Sequence, residues 1–183
     1  MSVGSVLQRW RVPLGFLCAA IFVLLARPSL LTLSIGGAVS LVGLAIRAWS
    51  AGHIRKNQVL AATGPYAYTR NPLYLGSFFL GLGFTIAAGR LVLALLFAAM
   101  FLGIYLPVMR VEASTLEVAF GDEYRRYAES VPLFLPRLSG YSTKGTAEPK
   151  FDKTLYLKYR EYRAALGLLA VWGILALKAY YLK

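Results

Sequence analysis

The sequence predicts an all-α, polytopic membrane protein with about five transmembrane helices and additional cytoplasmic amphipathic helices. Three observations predict it. Hydrophobic residues make up 58% of the 183 positions and charged residues only 15%, at a mean hydropathy of +0.59; a soluble domain is roughly half apolar and a quarter charged. Five stretches hold no Asp, Glu, Lys, Arg or His: 12–26, 28–46, 71–89, 91–109 and 164–177. If the first residues are cytoplasmic and each run crosses once, sixteen of the twenty basic residues fall on the cytoplasmic side, as the positive-inside rule requires. A soluble globule, a secreted disulfide scaffold and a disordered tail are excluded.

A membrane-spanning helix needs roughly 20 residues, with a working range of about 17–25. The three runs of 19 qualify alone, and those of 15 and 14 qualify if flanking charges snorkel. Runs one and two are separated by Arg27 and read as a helical hairpin; runs three and four, joined at Ala88-Gly89-Arg90, read as a tighter one. Gly36, Gly37, Gly43, Gly76, Gly81, Gly83 and Gly103 lie within the runs, where small residues let helices approach closely. Gly81-Leu82-Gly83 looks like the start of a nucleotide fingerprint, but mid-helix and without a third glycine it carries no functional weight. Pro107 should kink or end the fourth helix.

The polar material lies at 47–70 and 110–163, both on the expected cytoplasmic face, so any chemistry belongs there. Residues 110–120 read as a continuing helix with Val111, Thr115, Leu116 and Ala119 on one stripe. Gly121 suits a helix end and Asp122 the N-cap of a short second helix, on which Tyr124, Tyr127, Ala128 and Val131 share a face before Pro132 and Pro136 stop it. Residues 139–150 read as a linker. Beyond them Tyr156, Tyr159 and Tyr162, interleaved with Lys158, Arg160 and Arg163, predict an interfacial helix anchoring the chain to the membrane surface. The final run can cross, lie in the interface, or meet a second copy in a homodimer. The chain divides into an N-terminal hairpin (1–46), a central core (47–138) and a C-terminal unit (139–183).

The net charge of +12 follows from topology and attraction to anionic headgroups, and no nucleic-acid partner is expected. Cys18 and His53 are single residues of their type, so neither an internal disulfide nor a His/Cys metal site is expected. Run one follows Arg9 and Arg11 but meets Arg27-Pro28 without a cleavage site, so no cleavable signal is expected. The expected location is a bacterial inner membrane.

Two polar segments stand out. In Gly64-Pro65-Tyr66-Ala67-Tyr68-Thr69-Arg70-Asn71-Pro72-Leu73-Tyr74-Leu75-Gly76, Asn71-Pro72 makes a helix start. Arg70 beside that positive helix end offers a carboxylate or phosphate site, and Tyr66, Tyr68 and Tyr74 offer aromatic faces. A purely structural helix start with interfacial tyrosines fits the same residues. In the second segment, Glu112 follows an apolar helix directly. A carboxylate there is costly unless paired; Arg110, Arg70 or a bound ammonium group can pair with it.

The order Gly-Pro-Tyr, Arg70-Asn71-Pro72-Leu73-Tyr74-Leu75-Gly76, an apolar hairpin, Glu112-x-x-x-Leu116, Phe120-Gly121-x-x-Tyr124-x-x-Tyr127 and Val131-Pro132 resembles the isoprenylcysteine carboxyl methyltransferase family and the related phospholipid methyltransferases. It covers about residues 45–138. The resemblance implies S-adenosylmethionine as cofactor, S-adenosylhomocysteine as product, and methyl transfer to a lipophilic acceptor: a prenylcysteine-like carboxylate or a phospholipid amine. Two positions depart from the carboxyl methyltransferase pattern: Asn71 stands where a histidine is usual, and Ala113 where a second glutamate is.

On this resemblance Tyr66, Tyr68, Arg70, Asn71, Pro72, Tyr74, Gly76, Glu112, Leu116 and Tyr124 form the cofactor site. Arg70 and the helix N-terminus take the cofactor carboxylate, Glu112 takes its ammonium, and tyrosines face adenine or sulfonium. Glu112 and Arg110 are the expected catalytic residues, with Arg110 orienting an acidic acceptor. Two rival readings are an NADPH-dependent membrane sterol or enone reductase and a non-enzymatic lipid-binding protein.

Overall fold

The structure, a computed structural model, describes residues 3–55, 59–142 and 151–181. Lys56 and most of the expected linker (143–150) lie outside the described residues, as do Lys183 and the side chains of Arg9 and Arg11. Every regular element among the described residues is helical: α1 (Val3–Leu25), α2 (Leu30–Ala51), α3 (Pro72–Ala88), α4 (Leu91–Met100), α5 (Leu106–Phe120), α6 (Asp122–Ser130), α7 (Lys153–Lys158) and α8 (Tyr162–Tyr181).

Small residues decide which helices meet. On α2, Gly36, Ser40 and Gly43 follow one another at helical spacing, and α3 presents Gly76 and Gly83 to them. A Cβ on Gly43 would stand 2.6 Å from the Gly76 carbonyl oxygen, and one on Gly36 would overlap the Gly83 carbonyl. Such contact is open only to glycine, so α2 and α3 form the tightest pair. The Gly15 face of α1 meets nothing comparable. The expected first hairpin is corrected accordingly: α1 leans on α3, α5 and α8 rather than chiefly on α2. Gly103 has open space around it and is not a close-approach glycine, whereas Gly37 meets Trp172 and Gly81 meets Phe97.

Among the described residues, three helices are long and apolar enough to cross a membrane: Leu30–Ala51, Leu91–Phe120 and Tyr162–Tyr181. This differs from the expectation at both ends of the scale. Asn71 stands outside α3 and Gly89 ends it at φ 62°, leaving 17 residues. The 14-residue run instead grows to a 20-residue helix. Lys178 makes this extension tolerable without snorkelling, because its Nζ donates to the Val23 and Leu24 carbonyls at 2.8 and 2.6 Å, at the α1 end where carbonyls lack helical partners. Leu30, Leu41, Leu91, Leu95, Leu166 and Leu169 are exposed around the helices, as expected of lipid-facing surface in a membrane protein.

Pro107 does not end the fourth helix. Residues Phe101–Tyr105 form a π turn in which the Leu106 N–H reaches back to the Phe101 carbonyl. The widened turn accommodates a proline ring that has no N–H to give and would crowd a normal one. α4, the π turn and α5 therefore run on continuously.

Asp122 is not an N-cap. It is the first residue of α6, and Gly121 (φ 54°, ψ −127°) both ends α5 and precedes α6. The Asp122 carboxylate accepts instead from Arg125 Nη1 at 3.1 Å. The stripe Val111, Thr115, Leu116 and Ala119 is also corrected: the last three are exposed, and the helix faces its neighbours through Val108, Met109 and Ala113. The expected face of α6 holds, with Tyr124, Tyr127 and Val131 almost fully buried. The expected single interfacial helix is broken: α7 has six residues, and the chain turns through Arg160 at φ 55° before α8 begins.

Candidate active site

The segment before α3 is held in place by the segment after α6. A 3-10 turn, Gly64–Ala67, opens it. The Arg70 N–H donates to the Pro132 carbonyl, Arg137 N–H to the Tyr68 carbonyl and Tyr141 N–H to the Ala67 carbonyl, each at 2.9 Å. Thr69 Oγ1 donates to the Phe134 carbonyl and Asn71 Nδ2 to the Leu133 carbonyl, both at 2.9 Å. Asn71 thus stands at the N-cap position, but its side chain ties two segments together and does not cap α3. From below, Tyr127 Oη donates to the Tyr66 carbonyl at 2.7 Å.

This clasp fixes one wall of a cleft of about 320 Å3; α5 and α6 form the other. Arg70 and Glu112 both line it. Arg70 Nη1 donates to Tyr124 Oη at 3.1 Å, and the guanidinium carbon lies 5.9 Å from the Tyr124 ring centre. Arg70 Nε is buried with no hydrogen-bond partner, a cost of about 1–3 kcal/mol that a bound acceptor group would remove. Tyr74 Oη donates to Glu112 Oε1 at 2.8 Å. An aromatic-walled cleft with a guanidinium donor and a carboxylate matches the ends of a bound α-amino acid: carboxylate toward Arg70, ammonium toward Glu112.

Of the expected residues, Tyr66, Arg70, Asn71, Pro72, Tyr74, Glu112, Leu116 and Tyr124 line this cleft. Tyr68 does not; its ring packs on Trp49 at 6.2 Å. Gly76 does not either, and its value is steric, since a Cβ there would meet Arg47 and the Gly43 carbonyl. Arg110 is exposed and lines a separate surface groove with Ser114 and Glu117, which Arg70 also borders. Ala113 packs against the Tyr124–Tyr127–Val131 cluster, so a glutamate side chain in that orientation would have to enter an aromatic core.

Sequence reasoning missed two parts of the site. The loop after α2 supplies Ile54, Arg55, Val59, Leu60 and Ala61 to the cleft, and its composition gives no sign of this. The second part is a polar passage shared by Leu73, Tyr74, Ser77, Tyr105 and Glu112, in which Arg47 meets Glu161. Arg47 Nη2 stands 2.8 Å from Glu161 Oε2 and 2.9 Å from Oε1, while Nη1 donates to Ser77 Oγ at 2.6 Å. The turn through Arg160, counted at first as part of a surface anchor, places Glu161 here. Beyond the passage, α1, α3 and α4 enclose an apolar cavity of about 290 Å3, lined by Cys18, Phe22, Phe84, Phe97, Met100 and Phe101 among others. Gly15, Ala19, Ser77 and Tyr105 border both spaces. The polar passage and the apolar cavity thus lie side by side, with these four residues between them.

Two measurements check this geometry. Breaking the ion pair by Glu161→Ala should cost about 2 kcal/mol in detergent unfolding. That is below the roughly 3–5 kcal/mol of a fully buried pair, since the two side chains are 22% and 13% exposed. The double variant Arg47→Met/Glu161→Met should recover most of it; additive losses would contradict a coupled pair.

Burial pushes the Tyr66 and Tyr127 phenols well above the usual tyrosine range. The unfolded chain releases these protons at about pH 10 while the folded chain keeps them, so their stabilisation is complete below pH 10 and lost above it. Unfolding free energy should fall above about pH 10, and less steeply in Tyr127→Phe, which itself should cost about 1–2 kcal/mol by leaving the Tyr66 carbonyl unpaired.

The sequence model of a family described as "Phospholipid methyltransferase" matches residues 10–123. That range includes Arg70 and Glu112 and ends before Glu161. The chain is 39% identical over 151 residues to the cobalt-zinc-cadmium resistance protein CzcN of Cupriavidus metallidurans, covering 75% of this chain and 66% of that one. It is 36% identical over 102 residues to the nickel-cobalt-cadmium resistance protein NccN of Alcaligenes xylosoxydans xylosoxydans, covering 55% and 47%. It is also 35% identical over 81 residues to the protein-S-isoprenylcysteine O-methyltransferase of Schizosaccharomyces pombe, covering 44% and 34%. The chain thus spans between about a third and two thirds of the length of these relatives. No solved structure matches it.

Proposed function

Because the chain belongs to the phospholipid methyltransferase family, we propose that it is an S-adenosylmethionine-dependent membrane methyltransferase acting on a lipophilic acceptor at the cytoplasmic membrane face. The observation that carries the reading is that Arg70, whose Nε is buried and partnerless, lines one cleft with Glu112. When bound, S-adenosylmethionine supplies an electrophilic methyl group on a sulfonium. Arg70 binds the amino-acid carboxylate, and Glu112 binds the ammonium. The Tyr74 hydroxyl orients the Glu112 carboxylate. Tyr66 and Tyr124 supply aromatic wall. Holding nucleophile and methyl in line is the main catalytic contribution required of such a site.

The acceptor's apolar tail occupies the cavity between α1, α3 and α4, and its polar end passes Ser77 and Tyr105 toward the cleft. A carboxylate acceptor is nucleophilic at neutral pH without a base, whereas an amine must first lose a proton. That difference favours a prenylcysteine-like carboxylate over a phospholipid amine. The topology that suits this arrangement has five crossings, with the 23-residue α1 and the 17-residue α3 joining Leu30–Ala51, Leu91–Phe120 and Tyr162–Tyr181. Metal resistance belongs to the names of two relatives, and no group of three His, Cys, Asp or Glu able to hold a metal ion occurs among the described residues.

The test is transfer of labelled methyl from S-adenosylmethionine into organic-extractable product. A farnesylcysteine analogue and phosphatidylethanolamine should be supplied separately to the purified protein. Label in the farnesylcysteine analogue supports the reading; label in phosphatidylethanolamine alone would reassign the acceptor; label in neither would remove both acceptors.

A further inference from the structure

At the end of the molecule away from the cleft, three cations gather that the sequence keeps far apart. Arg27 follows α1, Arg90 lies in the turn between α3 and α4, and Lys178 is near the end of α8. All three line one cavity of about 520 Å3, together with Leu24, Leu25 and Pro28, and among the described residues no carboxylate lines it. The α3 helix places this cavity about 25 Å from the Asn71–Pro72 end, at 1.5 Å per residue.

The cavity is fixed by backbone. The Arg27 N–H donates to the Ala88 carbonyl at 2.8 Å, which locks the turn after α1 onto the end of α3. A Cβ on Gly89 would stand 2.8 Å from the Arg27 carbonyl oxygen, so the two turns touch through glycine. Lys178 bonds the last α1 carbonyls. Arg27 and Arg90 are exposed, and among the described residues neither forms an ion pair. Two unneutralised guanidiniums and an ammonium in one cavity make a site for an anion.

Its surroundings select the kind of anion. Leu24 in the cavity wall is 74% exposed, Leu91 beside Arg90 is 77% exposed, and Tyr180 and Tyr181 are exposed two and three residues beyond Lys178. Apolar surface below and tyrosines at the same level are the setting of a lipid headgroup region. A soluble anion would gain nothing from those leucines, whereas acyl chains would lie along them. We infer that Arg27, Arg90 and Lys178 form a binding site for the phosphate of an anionic phospholipid on the membrane face opposite the candidate active site.

The test is lipid binding by native mass spectrometry and thermal stabilisation in neutral detergent, with phosphatidylglycerol, phosphatidylcholine and inorganic phosphate as probes. Phosphatidylglycerol should bind saturably and raise the unfolding temperature, and Arg27→Gln/Arg90→Gln should weaken it about tenfold. Arg126→Gln/Lys153→Gln removes the same charge at exposed positions elsewhere and should leave it unchanged. Lys178 is kept, because it also secures α1. Equal binding of phosphatidylcholine to the unaltered protein would overturn the inference whether or not the variants fold. So would equal losses in the two double variants, and stabilisation by inorganic phosphate matching that by phosphatidylglycerol would overturn the lipid assignment.

Discussion

Replacing Glu112 by glutamine is expected to weaken S-adenosylhomocysteine binding at least tenfold, about 1.4 kcal/mol, and to reduce methyl transfer at least as much. Glutamine has nearly the shape of glutamate and can still accept from Tyr74 Oη, which stands 2.8 Å from Glu112 Oε1. The cleft wall should therefore survive and the unfolding temperature change little. What is lost is the negative charge opposite Arg70, the one feature that recognises an ammonium group. Arg70→Met should produce a comparable loss at the carboxylate end. It removes a guanidinium whose Nε is buried and partnerless but also the donor to the buried Tyr124 hydroxyl, so the two effects offset and the stability of the ligand-free protein should change little. A purely interfacial pair would behave differently: neither substitution would alter ligand affinity.

The second large effect is structural. Gly43→Leu should destabilise the protein by about 3 kcal/mol or more, at or beyond the upper end of overpacking penalties. The first side-chain carbon would already stand 2.6 Å from the Gly76 carbonyl oxygen and 2.7 Å from the Leu80 nitrogen. Both are backbone atoms of α3 and cannot rotate away, so α2 and α3 would have to separate along their shared face. Gly103→Ala is the control, since nothing stands within 4 Å of a Cβ there; it should be nearly neutral. Detergent-resistant unfolding measured for both variants decides the matter, and equal stabilities would contradict the close approach.

Gly43 also shows how far the sequence could be read. Glycines at helical spacing in apolar runs indicated close approach, but not that α2 would meet α3 while α1 turned elsewhere, because pairing depends on which glycine faces coincide. Asn71-Pro72 correctly marked the start of α3, since proline's missing N–H costs nothing there. The Asn71 side chain still found its partner in Leu133, 62 residues away, and local rules do not reach that far. Glu112 and Arg70 were legible through a motif and through the cost of charge at a membrane edge. The Arg47–Glu161 pair spans 114 residues and joins a helix end to a turn, so no spacing announces it. Lys178 was expected to reach for water and found the free carbonyls of α1 instead, which is why a 14-residue apolar run becomes a 20-residue helix.

On the proposed reading, the cleft lined by Arg70 and Glu112 holds S-adenosylmethionine. Calorimetric titration of the detergent-purified protein with S-adenosylhomocysteine, with NADPH as the comparison ligand, tests it most directly. Saturable one-site binding of S-adenosylhomocysteine, lost in Glu112→Gln, is expected, with no binding of NADPH. A folded protein that binds NADPH alone, or neither ligand, would contradict the reading.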